Sequence, residues 1–108
     1  MQLIKKQLIM SIQKQFLKSK PECKVTFSIK AKEAKKVEVA GVFNNWQAKA
    51  MPLKKLKNGT FKGSINLPTN NAYEFKYVID GESWINDDSA DKYVWNDFSA
   101  SENGLLVI

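Results

Sequence analysis

The chain changes its hydrophobic pattern near Pro21. After Pro21, apolar and polar residues alternate in short runs, and a period of two is the spacing of β-strands buried on one face. Turn residues separate the runs, and Asp80-Gly81 between residues 75–79 and 82–85 is the strongest hairpin signal in the chain. Strands of this length and spacing predict an antiparallel sandwich or barrel. The main runs lie at residues 25–29, 37–41, 61–67, 73–79, 93–95 and 105–108.

The segment before Pro21 has two interpretations. Its apolar residues fall near helical spacing, which predicts an amphipathic helix over about residues 2–13. Residues 12–17 fit a short strand equally well. Packing on the same domain, or fraying, is favoured over contact with a membrane. We therefore expect a helical or extended appendage at residues 1–20 and a β-sandwich at residues 21–108. The apolar residues concerned are Leu3, Ile4, Leu8, Ile12 and Phe16.

The residue types that the chain lacks argue against several classes of function. The 108 residues include no His and a single Cys, Cys23. Without His, the commonest general base and the usual metal-ligand clusters are absent, and one Cys cannot form an internal disulfide. We expect no enzyme activity, no catalytic residue, no cofactor and no metal site. The chain also lacks a signal-peptide layout and any run of about 20 apolar residues, so we expect a cytoplasmic protein without a membrane span.

Charge is distributed unevenly along the chain. Residues 1–62 hold 15 of the 17 lysines and three acids, whereas residues 63–108 hold two lysines and eight acids. A basic half of this kind indicates either an anionic partner or lysines that solvate a strand-rich surface and protect its edges. Because the chain has no Arg, which reads bases and phosphates with two parallel hydrogen bonds, we expect no specific binding of nucleic acid.

Two tryptophans adjoin turn signals, where a large apolar ring is costly unless it packs or binds something. Trp46 follows Asn44-Asn45, and Trp84 follows Asp80-Gly81. Indoles can stack on the apolar face of a sugar ring, while Asn and Lys can bond its hydroxyls. Plugging the ends of a thin sandwich is the other interpretation of these rings.

The acidic run at residues 86–91 lacks the spacing of an EF-hand calcium loop. Paired carboxylates can also hydrolyse glycosides. We expect instead a solvated loop with Asx turns, in which a side-chain oxygen accepts a bond from a nearby backbone amide.

Five stretches of the chain, taken in order, carry a family pattern. They are Val37-Glu-Val-Ala-Gly-Val-Phe-Asn-Asn-Trp46, Met51-Pro-Leu-Lys54, Asn58-Gly-Thr-Phe61, Tyr73-Glu-Phe-Lys-Tyr-Val-Ile-Asp-Gly81 with Trp84 and Asn86-Asp87, and Asn103-Gly-Leu-Leu-Val-Ile108. Together they resemble the glycogen-binding module, carbohydrate-binding module family 48. That module occurs in the beta subunit of AMP-activated protein kinase and at the N-terminus of isoamylases and branching enzymes. The resemblance runs from about Cys23 to the C-terminus, and the order and spacing of its motifs are specific. Residues 15–27 also resemble the opening of small bacterial stand-alone proteins of the isoamylase early-set class.

The resemblance implies an all-β fold, an immunoglobulin-like (early-set) antiparallel sandwich, with the short N-terminal helix or extra strand noted above. It also implies non-catalytic binding of α-1,4-glucans such as glycogen, starch or maltooligosaccharides. By position in the family motifs, Trp46 and Trp84 would stack on glucose, and Lys76 and Asn103 would bond its hydroxyls. Ser101 takes a position where binders often carry Thr.

The last loop departs from the family. Kinase-type binders carry there a Leu that enters the ring of the oligosaccharide, whereas this loop reads Phe98-Ser-Ala-Ser-Glu102. Phe98 or Trp95 would then supply the apolar contact, and Phe98 joins the candidate site. The alternative function is a protein-interaction module that docks on an enzyme of glycogen metabolism or associates with itself, with little or no sugar binding.

Overall fold

The computed structural model describes residues 8–108. The alternating runs in this part of the chain form strands that are separated by turns and loops. No helix within that part is long and apolar enough to cross a membrane. Short 3₁₀ turns at Val42–Asn44 and Ala48–Ala50 follow the third strand. The strands are β1 (Ile9–Phe16), β2 (Glu22–Lys30), β3 (Val37–Gly41), β4 (Lys54–Lys55), β5 (Thr60–Pro68), β6 (Ala72–Ile79), β7 (Ser83–Ile85), β8 (Lys92–Asn96) and β9 (Ser101–Val107).

The strands form two antiparallel sheets. Sheet A has the order β1-β2-β5-β4, and sheet B has the order β3-β6-β9-β8, with β7 paired to β6. Asp80 and Gly81 have positive φ angles of 53° and 70° and close the β6–β7 hairpin, in which Ile79 pairs with Ser83. The expected all-β, immunoglobulin-like sandwich and its best hairpin are both confirmed.

The core lies between the sheets and consists of the apolar residues that alternate with polar residues along each strand. Phe27 of β2 is fully buried, and its ring lies 5.2 Å from that of Phe75 and 6.2 Å from that of Tyr77, both on β6. Aromatic rings from opposite sheets thus meet at the centre, where their burial supplies much of the driving force for folding. Because successive residues of β6 point to opposite faces, burying Phe75 and Tyr77 directs Lys76 outward.

The N-terminal segment is a strand wherever the structure describes it. β1 pairs with β2 over its full length, from Ile9 with Lys30 to Phe16 with Cys23. The helix expected at residues 2–13 is therefore wrong for residues 9–13, and the extra strand is confirmed, while residues 2–7 lie outside the described part. The domain boundary at residue 20 stays a prediction.

Asp87 corrects the expectation of a solvated acidic loop. It is fully buried and accepts a hydrogen bond of 2.5 Å from the hydroxyl of Tyr77. The Ser89 amide donates to the same carboxylate at 2.7 Å, which confirms the Asx turn. Burial, followed by the charge of Asp87, raises the pKa of Tyr77. The carboxylate of Asp87 thus holds the loop against β6 from inside the protein, and it is closed off from any substrate.

Candidate functional site

A groove of about 590 Å³ lies on the outer face of sheet B. All six candidate binding residues named from the sequence line it, although they come from four separate parts of the chain. Asn96 and Ser99 line it as well. The lining residues are Trp46, Lys76, Trp84, Asn96, Phe98, Ser99, Ser101 and Asn103.

The floor of the groove carries two largely buried polar side chains. Lys76 of β6 is 9% exposed, and its Nζ donates to Ser101 Oγ at 2.9 Å. Asn103 of β9 is 4% exposed, and its Nδ2 donates to Glu74 Oε1 at 2.9 Å. Burying an ammonium group or an amide is costly unless it is hydrogen-bonded. The bonds to Ser101 and Glu74 therefore hold these side chains in place before any ligand arrives.

The turn that carries Trp46 is closed by a single amide side chain. Asn44 accepts from the backbone amide of Gly41 at 3.0 Å and donates to the carbonyl of Val39 at 2.9 Å. The Trp46 amide then donates to the Gly41 carbonyl at 2.8 Å. These three bonds satisfy backbone groups that the end of β3 would otherwise leave free. They explain why the Gly-Val-Phe-Asn-Asn-Trp motif delivers an indole to this face.

The same turn holds two residues in the left-handed region. Asn45 and Trp46 have φ angles of 55° and 60°. Asn tolerates this region, but a Trp there is uncommon and energetically costly. Ala100, in the β8–β9 loop at the opposite edge of sheet B, also has a positive φ of 52°. Such strain persists only where the surrounding contacts enforce it, and it concentrates at functional sites.

Trp84 reaches the groove through the β6–β7 hairpin. It pairs with Val78 on the outer face and is 48% exposed. The Asp80 carboxylate in the turn accepts backbone bonds from Lys35 at 2.7 Å and from Lys36 at 2.9 Å. These bonds hold the pKa of Asp80 below its ordinary value, with the Lys36 bond the larger cause. The hairpin is thereby tied to the β2–β3 loop.

Phe98 occupies the rim of the groove. Its side chain is fully exposed, in a loop where Asn96 Oδ1 accepts from the Ser99 amide at 3.0 Å. Trp95, the other residue considered for the apolar contact, is outside the groove lining, and its indole nitrogen donates to Asp97 at 2.7 Å. The structure thus brings Phe98, and not Trp95, to the other candidates.

Two residues at the site were not expected from the sequence. Asn96 lines the groove because it pairs with Ser101 in the β8–β9 register, which no local pattern reveals. Glu74 lies beside Asn103 on the outer face because it is two residues before Lys76 on the same strand, and that alternation was a usable signal. Ser99 also lines the groove, in the loop where kinase-type binders carry the Leu.

The groove offers aromatic faces beside fixed donors and acceptors. This combination suits a ring with an apolar face and hydroxyl edges. Within residues 8–108 no group of three His, Cys, Asp or Glu side chains is placed to hold a metal ion. The Glu74 carboxylate accepts a hydrogen bond from Asn103.

Comparison with known families gives an independent result. A family model described as the glycogen recognition site of AMP-activated protein kinase, a carbohydrate-binding module, matches residues 23–107. The match includes every residue that lines the groove and leaves out β1. Modules of this type are typically non-catalytic. Among curated proteins, none is significantly similar to this chain.

Proposed function

Since the chain belongs to the family described as the glycogen recognition site of AMP-activated protein kinase, we propose that its groove binds α-1,4-glucans without transforming them. The ligand is glycogen, starch or a maltooligosaccharide, and the protein acts in the cytoplasm. Trp46 and Trp84 stack on glucose rings, and Lys76 and Asn103 bond the hydroxyls. Ser101 and Phe98 complete the contact surface.

One observation carries the proposal: two indoles share a groove with two buried, hydrogen-bonded polar side chains. A core-plugging Trp would be buried, whereas Trp84 is 48% exposed. A merely solvated Lys would be exposed, whereas Lys76 is 9% exposed. Stacking on each indole supplies about 1–3 kcal/mol, by analogy with bases stacked on aromatic side chains.

The backbone of the groove rim supports the same assignment. Trp46 and Ala100 are held at positive φ, at a cost of order 1–3 kcal/mol each. A rim that is already fixed loses little freedom when a ligand binds, which improves affinity. The strain is thus explained by a need to present the Trp46 ring and the Phe98 loop in one arrangement.

Titration with maltoheptaose, followed by calorimetry, tests the proposal with three matched variants. Trp46→Ala and Trp84→Ala should each weaken binding roughly 5- to 150-fold, the equivalent of one lost stacking contact. Trp95→Ala is the control, because Trp95 is 63% exposed on the same sheet but lies outside the groove. Its affinity should stay within about twofold of wild type.

Retardation in native gels that contain glycogen gives a second readout. Wild type and Trp95→Ala should be retarded, and the two groove variants should migrate faster through the glycogen gel. The proposal is wrong if wild type itself shows no retardation and no maltoheptaose binding, or if all three variants bind like wild type.

Sheet A favours a second candidate function, docking on an acidic protein surface. Lys54 of β4 lies directly opposite Lys62 of β5. Like charges in directly opposed positions destabilise a strand pair, and an acidic partner would relieve that repulsion. Binding of this kind should be lost in high salt, whereas binding of a neutral glucan should not. An enzyme of glycogen metabolism is the partner we would test first, and a second copy of the chain is the next.

A further inference from the structure

We propose that Glu74 is a positioning residue that orients the amide of Asn103, so that the groove presents a hydrogen-bond acceptor at this point. The inference rests on the proposed glucan-binding function, and it assigns a role to a residue that does not line the groove. Its basis is the bond of 2.9 Å from Asn103 Nδ2 to Glu74 Oε1.

The chemistry of the two groups decides which way the amide faces. A carboxylate can only accept hydrogen bonds, whereas an amide has a donating nitrogen and an accepting oxygen. Turning the Asn103 amide over would set its oxygen against Glu74, where two acceptors repel each other. The nitrogen is therefore held toward Glu74, and the oxygen is held away from it.

The oxygen of Asn103 is the acceptor left for a ligand. Within residues 8–108, no group donates a hydrogen bond to this oxygen. In the same part of the chain, every buried side-chain oxygen or nitrogen has a partner, so an oxygen without a partner is not buried. The oxygen therefore reaches the protein surface, and Asn103 lines the groove. Asn103 as a whole is only 4% exposed, and this oxygen is the hydrogen-bond acceptor of its side chain.

A fixed donor and a fixed acceptor then lie side by side on the floor of the groove. Lys76 can only donate, and one of its protons already goes to Ser101. Asn103, held by Glu74, accepts. A glucose hydroxyl that meets the Asn103 oxygen must donate its proton, and a hydroxyl above Lys76 must accept one. Glu74 thereby determines which pattern of sugar hydroxyls fits, although it does not touch the sugar.

Two substitutions of similar size separate this role from simple packing. Glu74→Gln keeps an oxygen that can accept from Asn103, whereas Glu74→Met does not. In maltoheptaose titrations, Glu74→Met should bind about 5- to 10-fold more weakly than wild type, the equivalent of one hydrogen bond. Glu74→Gln should stay within about twofold. Urea unfolding of both variants shows whether each is folded under the titration conditions.

The wild-type protein provides a test that does not depend on a variant folding. In ¹⁵N-labelled protein, the side-chain amide protons of Asn103 should exchange with solvent more slowly than those of Asn70, an exposed Asn in a turn. Equal exchange rates would overturn the assignment, as would a folded Glu74→Met that binds like wild type or a Glu74→Gln that binds as weakly as Glu74→Met. If wild type binds no maltoheptaose, the proposed function itself falls, and that outcome differs from wild-type binding without a Glu74 effect.

Discussion

The outer faces of the two sheets share the same strand geometry but differ in how their polar side chains are held. On sheet B, Lys76 and Asn103 are nearly buried and bonded to defined partners. On sheet A, Lys24, Lys30 and Lys62 occupy the equivalent outward positions and are exposed to solvent. The exposed lysines and the candidate binding groove therefore lie on the outer faces of different sheets.

Burial, and not the number of charged groups, distinguishes the candidate site from the outer face of sheet A. An exposed Lys keeps its hydration and its rotamer freedom, so it contributes little to fixed recognition. A buried Lys has already lost both during folding, and a ligand gains its hydrogen bond at lower entropic cost. Most lysines lie in the first 62 residues, yet the Lys that lines the groove comes from the acidic half.

The largest effect should come from adding one methyl group at Gly41 of sheet B. A Cβ there would lie 2.6 Å from the backbone oxygen of Glu74, so the strand or the Trp46 turn must shift. We expect Gly41→Ala to lower the free energy of unfolding by about 1–3 kcal/mol and to weaken maltoheptaose binding as well. Urea unfolding and calorimetry measure the two effects.

Gly63→Ala on sheet A is the matched control. Its Cβ would meet the end of the Leu53 side chain at 2.7 Å, and a flexible side chain can move where a backbone cannot. The variant should lose less stability than Gly41→Ala and keep its glucan affinity. If the two variants lose the same stability and the same glucan affinity, the close contact at Gly41 does not matter more than the one at Gly63.

The next prediction makes the same substitution, Lys to Met, on the outer face of each sheet. Lys76→Met should weaken maltoheptaose binding about 10- to 150-fold, because hydrogen bonds from a charged group contribute about 1.5–3 kcal/mol. Lys62→Met should leave the affinity within about twofold, since Lys62 lies on the opposite sheet. Titration at 50 mM and 500 mM salt should give similar affinities for the neutral glucan. A reversed ranking of the two Met variants would move the glucan site to sheet A.

The sequence predicted most of the strands because alternation is a local signal. The resemblance to the family named six candidate residues, and all six line one groove, although their binding roles stay predictions. The helix predicted before Pro21 was wrong for residues 9–13 because Leu8, Ile12 and Phe16 are four residues apart. That spacing fits a helix turn and also fits a strand, where Leu8, Met10 and Ile12 pack against the core.

What could not be predicted depends on contacts between distant strands. Asn96 reaches the groove through its pairing with Ser101. Asp87 is buried because the Tyr77 hydroxyl, from another strand, provides its partner. Register and layer packing decide both cases, and neither leaves a trace within the local residue pattern.

A smaller effect tests how the two sheets are joined at one edge. Lys14 of β1 forms an ion pair of 2.8 Å with Asp91, before β8, and donates to the Val107 carbonyl at 3.1 Å. Burial alone would raise the pKa of Asp91, but the bonds from Lys14 and the Val107 amide outweigh it and lower the pKa below 3.8. The stabilising effect of this carboxylate is thus present above pH 3.8 and is lost as the pH falls through its lowered value.

Lys14→Met should therefore cost about 0.2–1 kcal/mol in urea unfolding at pH 7, as expected of a partly exposed pair. The difference from wild type should shrink as the pH falls from about 4 through the lowered pKa of Asp91, where the folded protein's carboxylate becomes protonated. Lys24→Met, on the outer face of β2, is the control and should show little difference at any pH. A Lys14 effect that is constant from pH 7 to pH 3 would contradict the role of Asp91.

The smallest effect concerns the opposed lysines of sheet A. Lys54→Glu replaces a like-charge pair with an ion pair to Lys62, because the two residues are directly opposite in the β4–β5 register. We expect the protein to become more stable by about 0.2–1 kcal/mol at low salt, and less so at high salt. Glucan affinity should not change, since both residues lie outside the groove. If stability falls at low salt, the repulsion that favours an acidic partner is absent, and the second candidate function loses its support.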